Sequence, residues 1–333
     1  MANNQKSEAL GIDISKLTID VAVHHLKLHK QFDNSQAGYK ALLKWLAQSK
    51  IDLSKLVICF EHTGWYCLMI SHFLHRLHIP YHCVNPIEIK RSMGFKRGKS
   101  DKSDAIEIAR YAWLHREELT PSVPLSERLI ELQRMMSLRE QFVKQATALK
   151  NQRSGMKVVL SSPSTDTCIK LIDQMLHHLE KQILSIEKAM RELIKEDENL
   201  QMNYKLSRTV KGIGPILATQ MLLHTHNYTR FLEWRQFSAY CGLVPYLHES
   251  GTSIKSKPKI HPISDRKMKS LLSMSAISAI QCDPELRLYY QKRVDEGKPK
   301  MVVLNIIRNK LVARVFATIK RGTPFVPLQK HAA

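Results

Sequence analysis

The order of hydrophobic patterns in the first 114 residues constrains this chain more than any other feature. Residues 8–34 alternate apolar and polar side chains in three short runs, EALGIDIS, TIDVAVHH and KLHKQFDN, with tight connections between them. A period of two with short links predicts an antiparallel β-meander. Residues 36–49 (QAGYKALLKWLAQS) place apolar side chains at helical spacing. LVICFEHT then reads as a buried strand, GWYCLMISHFLHRLH as a helix and IPYHCVNP as another strand. Residues 101–114 (DKSDAIEIARYAWL) read as a further helix.

Three strands followed by helix, strand, helix, strand, helix is the order of the ribonuclease-H-like α/β fold. In that topology the first and fourth strands are neighbours, and the late helix packs against the same end. Four acids then stand out. Asp13 lies in the first strand, Glu61 ends the buried strand, and Asp101 and Asp104 sit three apart at the start of the late helix, on one helix face. Isolated carboxylates in apolar strands are costly to bury, and a divalent cation with a preference for hard oxygen ligands is the usual remedy. Mg²⁺ is therefore the expected cofactor, and metal ions on such acids can hold the attacking and leaving oxygens of a phosphodiester. Taken singly, each acid has a plainer reading: Asp101, after Lys99-Ser100, can cap its helix.

The charge balance points to the partner. Lys and Arg total 51 against 30 Asp and Glu, a net charge of +21 and a pI near 9.7 in 333 residues. Such an excess favours a polyanion, because each neutralised phosphate releases counterions. Acidic lipid is the rival. No apolar run approaches the ~20 residues that span a bilayer, and no signal peptide opens the chain, so a cytoplasmic nucleic-acid-binding protein is expected. One basic strip, IKRSMGFKRGKSDK, carries Lys90, Arg91, Lys96, Arg97, Lys99 and Lys102 beside the acid pair; a solvated loop is its plain reading, and candidate contacts to a DNA phosphate backbone next to a metal cluster are the functional one. The six cysteines include no CxxC pair, which predicts reduced thiols and no zinc site.

From about 125 to 200 the chain is long, amphipathic and broken only near SSPSTD. Leu171, Ile172, Met175, Leu179, Ile183, Ile186, Met190 and Leu193 recur at three- and four-residue steps, predicting a helical hairpin or coiled coil. Either a spacer or a dimerisation arm fits this pattern. The remaining residues are mainly helical. VKGIGPILATQML has the glycines of a helix-hairpin-helix turn, Gly212 and Gly214, whose backbone N–H groups can bind phosphate; a plain tight turn is the alternative.

These segments resemble the DEDD insertion-sequence transposases and the related Piv-type DNA invertases. GIDISK, EHTGWY, VNP with Lys90, and KSDKSDA match the N-terminal blocks; VKGIGPILA, FSAYCGLVP, HESGTS and GKPKMVVLNIIRNKLVARVFATIKRGTPF match a C-terminal companion domain. The resemblance implies a RuvC-like N-terminal domain whose Asp13, Glu61, Asp101 and Asp104 bind magnesium, and a C-terminal serine that attacks DNA. Ser250, in Glu249-Ser250-Gly251, is the matching position, with Ser253 close by. It further implies guidance by a noncoding bridge RNA that pairs with donor and target DNA, and a homo-oligomer, dimer or tetramer. His62 departs from the small residue usual there, and the stretch after the serine departs as well, yet stays basic: Lys255, Lys257, Lys259, Arg266, Lys267 and Lys269. With Lys298, Lys300 and Arg308 of the last block, these are the candidate phosphate contacts.

The chain is thus read as three parts: a ribonuclease-H-like carboxylate domain at 1–122, a helical coiled-coil middle at 123–203 and a mainly α transposase domain at 204–333. The expected reaction is cleavage and rejoining of DNA strands. The alternatives are a metal-dependent junction-resolving nuclease without a covalent intermediate, and a non-catalytic nucleic-acid-binding derivative.

Overall fold

The computed structural model describes residues 6–93, 100–159, 166–246, 249–250, 254–255 and 260–327. It divides into two compact units, Met1–Leu125 and Ser126–Ala333.

Unit 1 carries five strands: β1 (Glu8–Ile14), β2 (Thr18–Val23), β3 (His29–Asp33), β4 (Leu56–Glu61) and β5 (Tyr81–Val84), in the order β3-β2-β1-β4-β5. The first three pair antiparallel as expected, while β1 to β4 and β4 to β5 are parallel. Strand alternation divides the core in two. Leu10, Ile12, Ile58 and Phe60 face one side with the buried Tyr39 and Leu42 of helix α1 (Gln36–Gln48) and Ile70 and Phe73 of α2 (Leu68–Arg76). Ala9, Val57 and Cys59 face the other side, against Ile108, Tyr111 and Ala112 of α4 (Asp101–Leu114).

How closely α4 approaches is set by small residues. Gly11 on β1 lies under it, with Ala22 of β2 clustered against Ala105 and Ala109. A Cβ added at Gly11 would stand 2.2 Å from the Ala109 backbone nitrogen and 2.3 Å from the Ala105 carbonyl oxygen. Helix α3 (Pro86–Met93) corrects the sequence reading: Lys90 and Arg91 belong to a short helix, not a loop, because Ile89 turns inward into the α4-side core. Lys96, Arg97 and Lys99 lie outside the described residues.

Unit 2 begins with two long helices, α5 (Glu127–Val159) and α6 (Thr167–Lys195). They run antiparallel: Arg128 pairs with Glu196, Arg139 with Glu187, Lys150 with Glu180 and Arg153 with Asp173. The expected stripe is partly displaced. Ile172, Leu179, Met190 and Leu193 are buried, but so are Ile169 and Leu176, while Leu171 and Met175 are exposed. The stripe simply turns with the 3.6-residue period, so 169, 172, 176 and 179 line up where 171 and 175 do not.

Six further helices follow: α7 (Glu198–Arg208), α8 (Pro215–His224), α9 (Trp234–Tyr240), α10 (Arg266–Cys282), α11 (Pro284–Asp295) and α12 (Lys300–Arg321). Val210, Ile213, Phe237, Leu272, Ile307, Leu311 and Val315 build their shared core. A two-stranded ladder, β6 (Glu249–Ser250) and β7 (Ile254–Lys255), pairs Ser250 with Ile254. Among the described residues no helix is long and apolar enough to cross a membrane.

Because backbone rather than a movable side chain meets the new atom, Gly11→Ala should lower unfolding free energy by about 1–3 kcal/mol, the usual effect of overpacking. Denaturant titration of the variant checks this; an unchanged midpoint would mean that α4 yields freely.

Candidate active site and nucleic-acid interface

The carboxylates meet because of strand parity and the small-residue seam. Asp13 follows Gly11 by two, so both point to the α4 side of the sheet. The parallel register sets Ile12 opposite Phe60, which makes Asp13 and Glu61 the next residues in line on adjacent strands. Glu61 follows Cys59 by two and shares its face. Helix α4 contributes the rest. Its contact with Gly11 is made through Ala105 and Ala109, so Asp104 and Asp101 precede that contact by one and four residues at the same end of the sheet.

Asp101 is not the cap of α4. Ser100 holds that place, accepting from the Ser103 N–H, while the Ser103 hydroxyl accepts from the Ser100 N–H. The reciprocal serine box leaves Asp101 in the first turn, where a carboxylate also suits the helix dipole.

Electrostatics register the crowding. Asp13 is pushed up from 3.8 to about 6, first by burial and then by the negative charges of Asp104, Asp101, Glu61 and Asp20. A half-buried acid surrounded by acids binds its proton more tightly. Among the described residues, no three acidic, His or Cys side chains already stand as a closed metal cage. The donor set is nonetheless the one that a hard cation takes: several carboxylate oxygens at the mouth of an apolar sheet.

Asp20 is the acid that the sequence reading passed over. It lies directly opposite Asp13 in the antiparallel ladder and is 5% exposed. His29 Nε2 and Gln31 Nε2 each approach its carboxylate at 2.8 Å. The meander gives the signal in retrospect, because residues paired across antiparallel strands share a face.

Comparison with known proteins agrees with this geometry. Residues 10–156 match the DEDD-type IS110 family, described as Transposase, and residues 204–291 match the one described as Transposase IS116/IS110/IS902 family. The chain is 27% identical to the Pilin gene-inverting protein of Moraxella bovis over 322 residues, covering 95% of this chain and 97% of that one. It is 26% identical to the Probable family 20 transposase of Pseudomonas aeruginosa over half of each chain. It is also 25% identical to the Insertion element IS110 uncharacterized 43.6 kDa protein of Streptomyces coelicolor, over 48% of this chain and 39% of that one. Together these matches support a DEDD IS110-type transposase or recombinase. The chain is a DNA transposase or recombinase, and the family acts on DNA.

The transposase carries its other candidate residues in unit 2. Gly214 precedes α8 as its cap, and Pro215 opens the helix. Gly212 has φ +92, and a Cβ there would stand 2.6 Å from the Ala279 Cβ of α10. Close packing on α10 therefore accounts for Gly212 without a ligand. The backbone of Ser250 lies in β6 and that of Lys255 in β7, in adjoining ladder pairs. Ser253, Lys257 and Lys259 lie outside the described residues. The segment leading to this hairpin is anchored: the Leu243 N–H donates to the Ser238 carbonyl, and its own carbonyl accepts from Asn305 and Asn309.

The basic candidates are not equivalent. Lys90, Lys102, Arg266, Lys298 and Lys300 are exposed. Lys267 is held by Glu140, whose carboxylate also accepts from Gln220. Lys269 is half-buried and Arg308 fully buried. A second polar cluster escaped the sequence reading: His224 Nδ1 lies 2.9 Å from the Tyr240 hydroxyl and 3.6 Å from Asp265. It ties α8 and α9 to the N-cap of α10, and burial lowers the pKa of His224.

The sign of the Asp13 shift is testable. Its folded pKa of about 6 exceeds the unfolded 3.8, so the native state holds the extra proton between those values, and stability falls as pH rises through that window. Asp13→Asn removes the repelled charge. In metal-free buffer at pH 7 it should raise unfolding free energy by about 1 kcal/mol, once the shift is discounted for Asp13's partial exposure. An asparagine variant less stable than wild type at pH 7 would contradict the crowding.

Proposed function

We propose that this transposase cleaves and rejoins DNA strands through a serine–phosphate intermediate, with Mg²⁺ held by Asp13, Glu61, Asp101 and Asp104. The observation that carries the reading is the raised Asp13, whose proton is held by burial and by Asp104, Asp101 and Glu61 together. When bound, the cation would neutralise this set and polarise the phosphodiester. The Ser250 hydroxyl attacks phosphorus, and one P–O bond to deoxyribose breaks. The serine proton ends on the departing sugar oxygen, and the serine phosphodiester retains the bond energy. Attack by another strand's sugar hydroxyl reverses the sequence, returns the proton to serine and completes the exchange.

The net charge of +21 supports backbone holding while pairing with a bridge RNA supplies sequence specificity. Three working parts, 1–122, 123–203 and 204–333, fit this division of labour, with the helical middle acting as a coiled-coil arm in a dimer or tetramer. We place the chemistry at a composite site, in which the arm carries one subunit's serine to another subunit's acids. Joining DNA ends requires two sites held together, and shared assembly guards against stray cutting.

Denaturing gels of protein incubated with target DNA and Mg²⁺ should show a covalent protein–DNA adduct, which Ser250→Ala abolishes. Asp13→Ala and Asp104→Ala should abolish cleavage with DNA affinity within about twofold of wild type, since lysines supply the phosphate contacts. Cleavage by Ser250→Ala without any adduct would favour the metal-dependent nuclease instead.

The composite site is tested by mixing Asp13→Ala protein with Ser250→Ala protein, each inactive alone. Up to about a quarter of wild-type recombination should return as subunits exchange at random. Proven mixed oligomers with no activity would mean that each subunit uses its own serine.

A further inference from the structure

We propose that Arg308 and Lys269 form a built receptor for a phosphodiester group of the DNA backbone within unit 2. The inference rests on the DNA-strand chemistry proposed above and identifies where one phosphate of that substrate is held.

Arg308 lies midway along α12 and is only 4% exposed. Its Nη1 donates to Asn305 Oδ1 at 3.3 Å, yet its Nε is buried and without a hydrogen-bond partner. Among the described residues no carboxylate pairs with it. Burial lowers its pKa. The half-buried Lys269 on α10 is lowered in turn by burial and by the charge of Arg308. Among the described residues neither cation has an acid paired with it, and an unbalanced buried charge is unfavourable in itself.

The same helix shows how this fold treats a cation that has a structural task. Arg314, six residues further on, pairs with Asp283 and with Glu285, each at 2.7 Å. Arg139, also largely sunken, pairs with Glu187. Arg308 is left unneutralised where its neighbours are matched, so its counter-charge comes from outside the chain. A guanidinium edge with a free Nε suits two oxygens of a phosphate, and an ammonium beside it adds a point charge.

Position links the receptor to the serine. Asn305 and Asn309 flank Arg308 on α12 and donate to the Leu243 carbonyl at 2.8 and 3.4 Å. Leu243 stands seven residues before Ser250. The helix face that would hold the phosphate is therefore the one that anchors the chain leading into the hairpin. Exposed lysines elsewhere can track any polyanion, but a buried, unmatched fork selects a phosphate oxygen pair in one place.

Inorganic phosphate is the probe, in melting curves of the full chain at constant ionic strength balanced with chloride. Wild type should gain roughly 3–6 °C for each tenfold rise in phosphate once the site fills. Arg308→Met and Lys269→Gln should lose that gain. In chloride alone Arg308→Met should melt no lower than wild type, because an apolar side chain removes an unbalanced charge. The proposal fails if phosphate stabilises all three proteins equally, which is a general salt effect. It fails equally if Arg308→Met melts far below wild type while Lys269→Gln keeps the full phosphate response, which makes Arg308 a structural residue.

Single-stranded DNA and RNA of equal length then identify the source of the phosphate. Arg308→Met should weaken DNA binding about tenfold and lower the salt slope by roughly one; a loss confined to RNA would overturn the DNA assignment. A phosphate response in wild type without any serine–DNA adduct would sink the strand-transfer reading and leave the receptor standing. An adduct with no phosphate response would do the reverse.

Discussion

The close approach of α4 to β1 is the contact on which the acid cluster of unit 1 depends. Two backbones meet there because Gly11 has no side chain and Ala22, Ala105 and Ala109 have almost none. A larger residue at any of these four positions would hold the helix off the sheet. The acids are then placed by counting from the seam: Asp13 two residues beyond Gly11, Asp104 and Asp101 on the turn before Ala105. Rigid apolar packing holds together charges that would otherwise move apart, and Asp13 registers the strain by keeping its proton to about pH 6.

Unit 2 handles positive charge by two different rules. Along the α5–α6 pair, and at Arg314, cations are matched by acids and serve the fold. Such pairs contribute little each at the surface, but they fix register and orientation. At Arg308 and Lys269 no such match exists among the described residues, and the free energy lost there is sustained by the large shared core of Leu272, Ile307, Leu311 and Val315. A protein that keeps an unmatched charge inside a well-packed helix bundle has given up stability at that point. The function that compensates for this concerns an anion. The two units thus mirror one another: excess negative charge gathered by a sheet, and excess positive charge gathered by a helix bundle.

Much of unit 1 was legible in the sequence because its patterns are local. Period-two alternation identified the meander, and the order of strands and helices made β1 and β4 neighbours, which brought Asp13 and Glu61 to one end of the sheet. The helix Pro86–Met93 was missed because a dense run of Lys and Arg hides a single inward residue, Ile89. Asp20 was missed because its role depends on cross-strand register, which a linear reading does not track. In unit 2 the long helices were plain, but the buried stripe of α6 rotated away from Leu171 and Met175, since only tertiary contact selects among several apolar faces. Arg308 was picked out with the surface lysines. Its sequence neighbours Ile307 and Leu311 did mark the inward face of α12, and that signal separates a buried guanidinium from a solvated one.

The proposed chemistry also divides along the chain. A cluster of acids with its cation can promote attack on phosphorus, but the available nucleophile is then water, and the cut is final. A serine can preserve the ester bond for rejoining, but an unassisted hydroxyl is a weak nucleophile and meets a phosphodiester whose negative charge repels it. The acids lie between Asp13 and Asp104, and the serine lies beyond residue 240, after two helices of 33 and 29 residues. On the proposed mechanism neither half alone would both break and re-form a strand: the carboxylates would lower the barrier and the serine would keep the bond, so loss of one would leave a binder and loss of the other a nuclease.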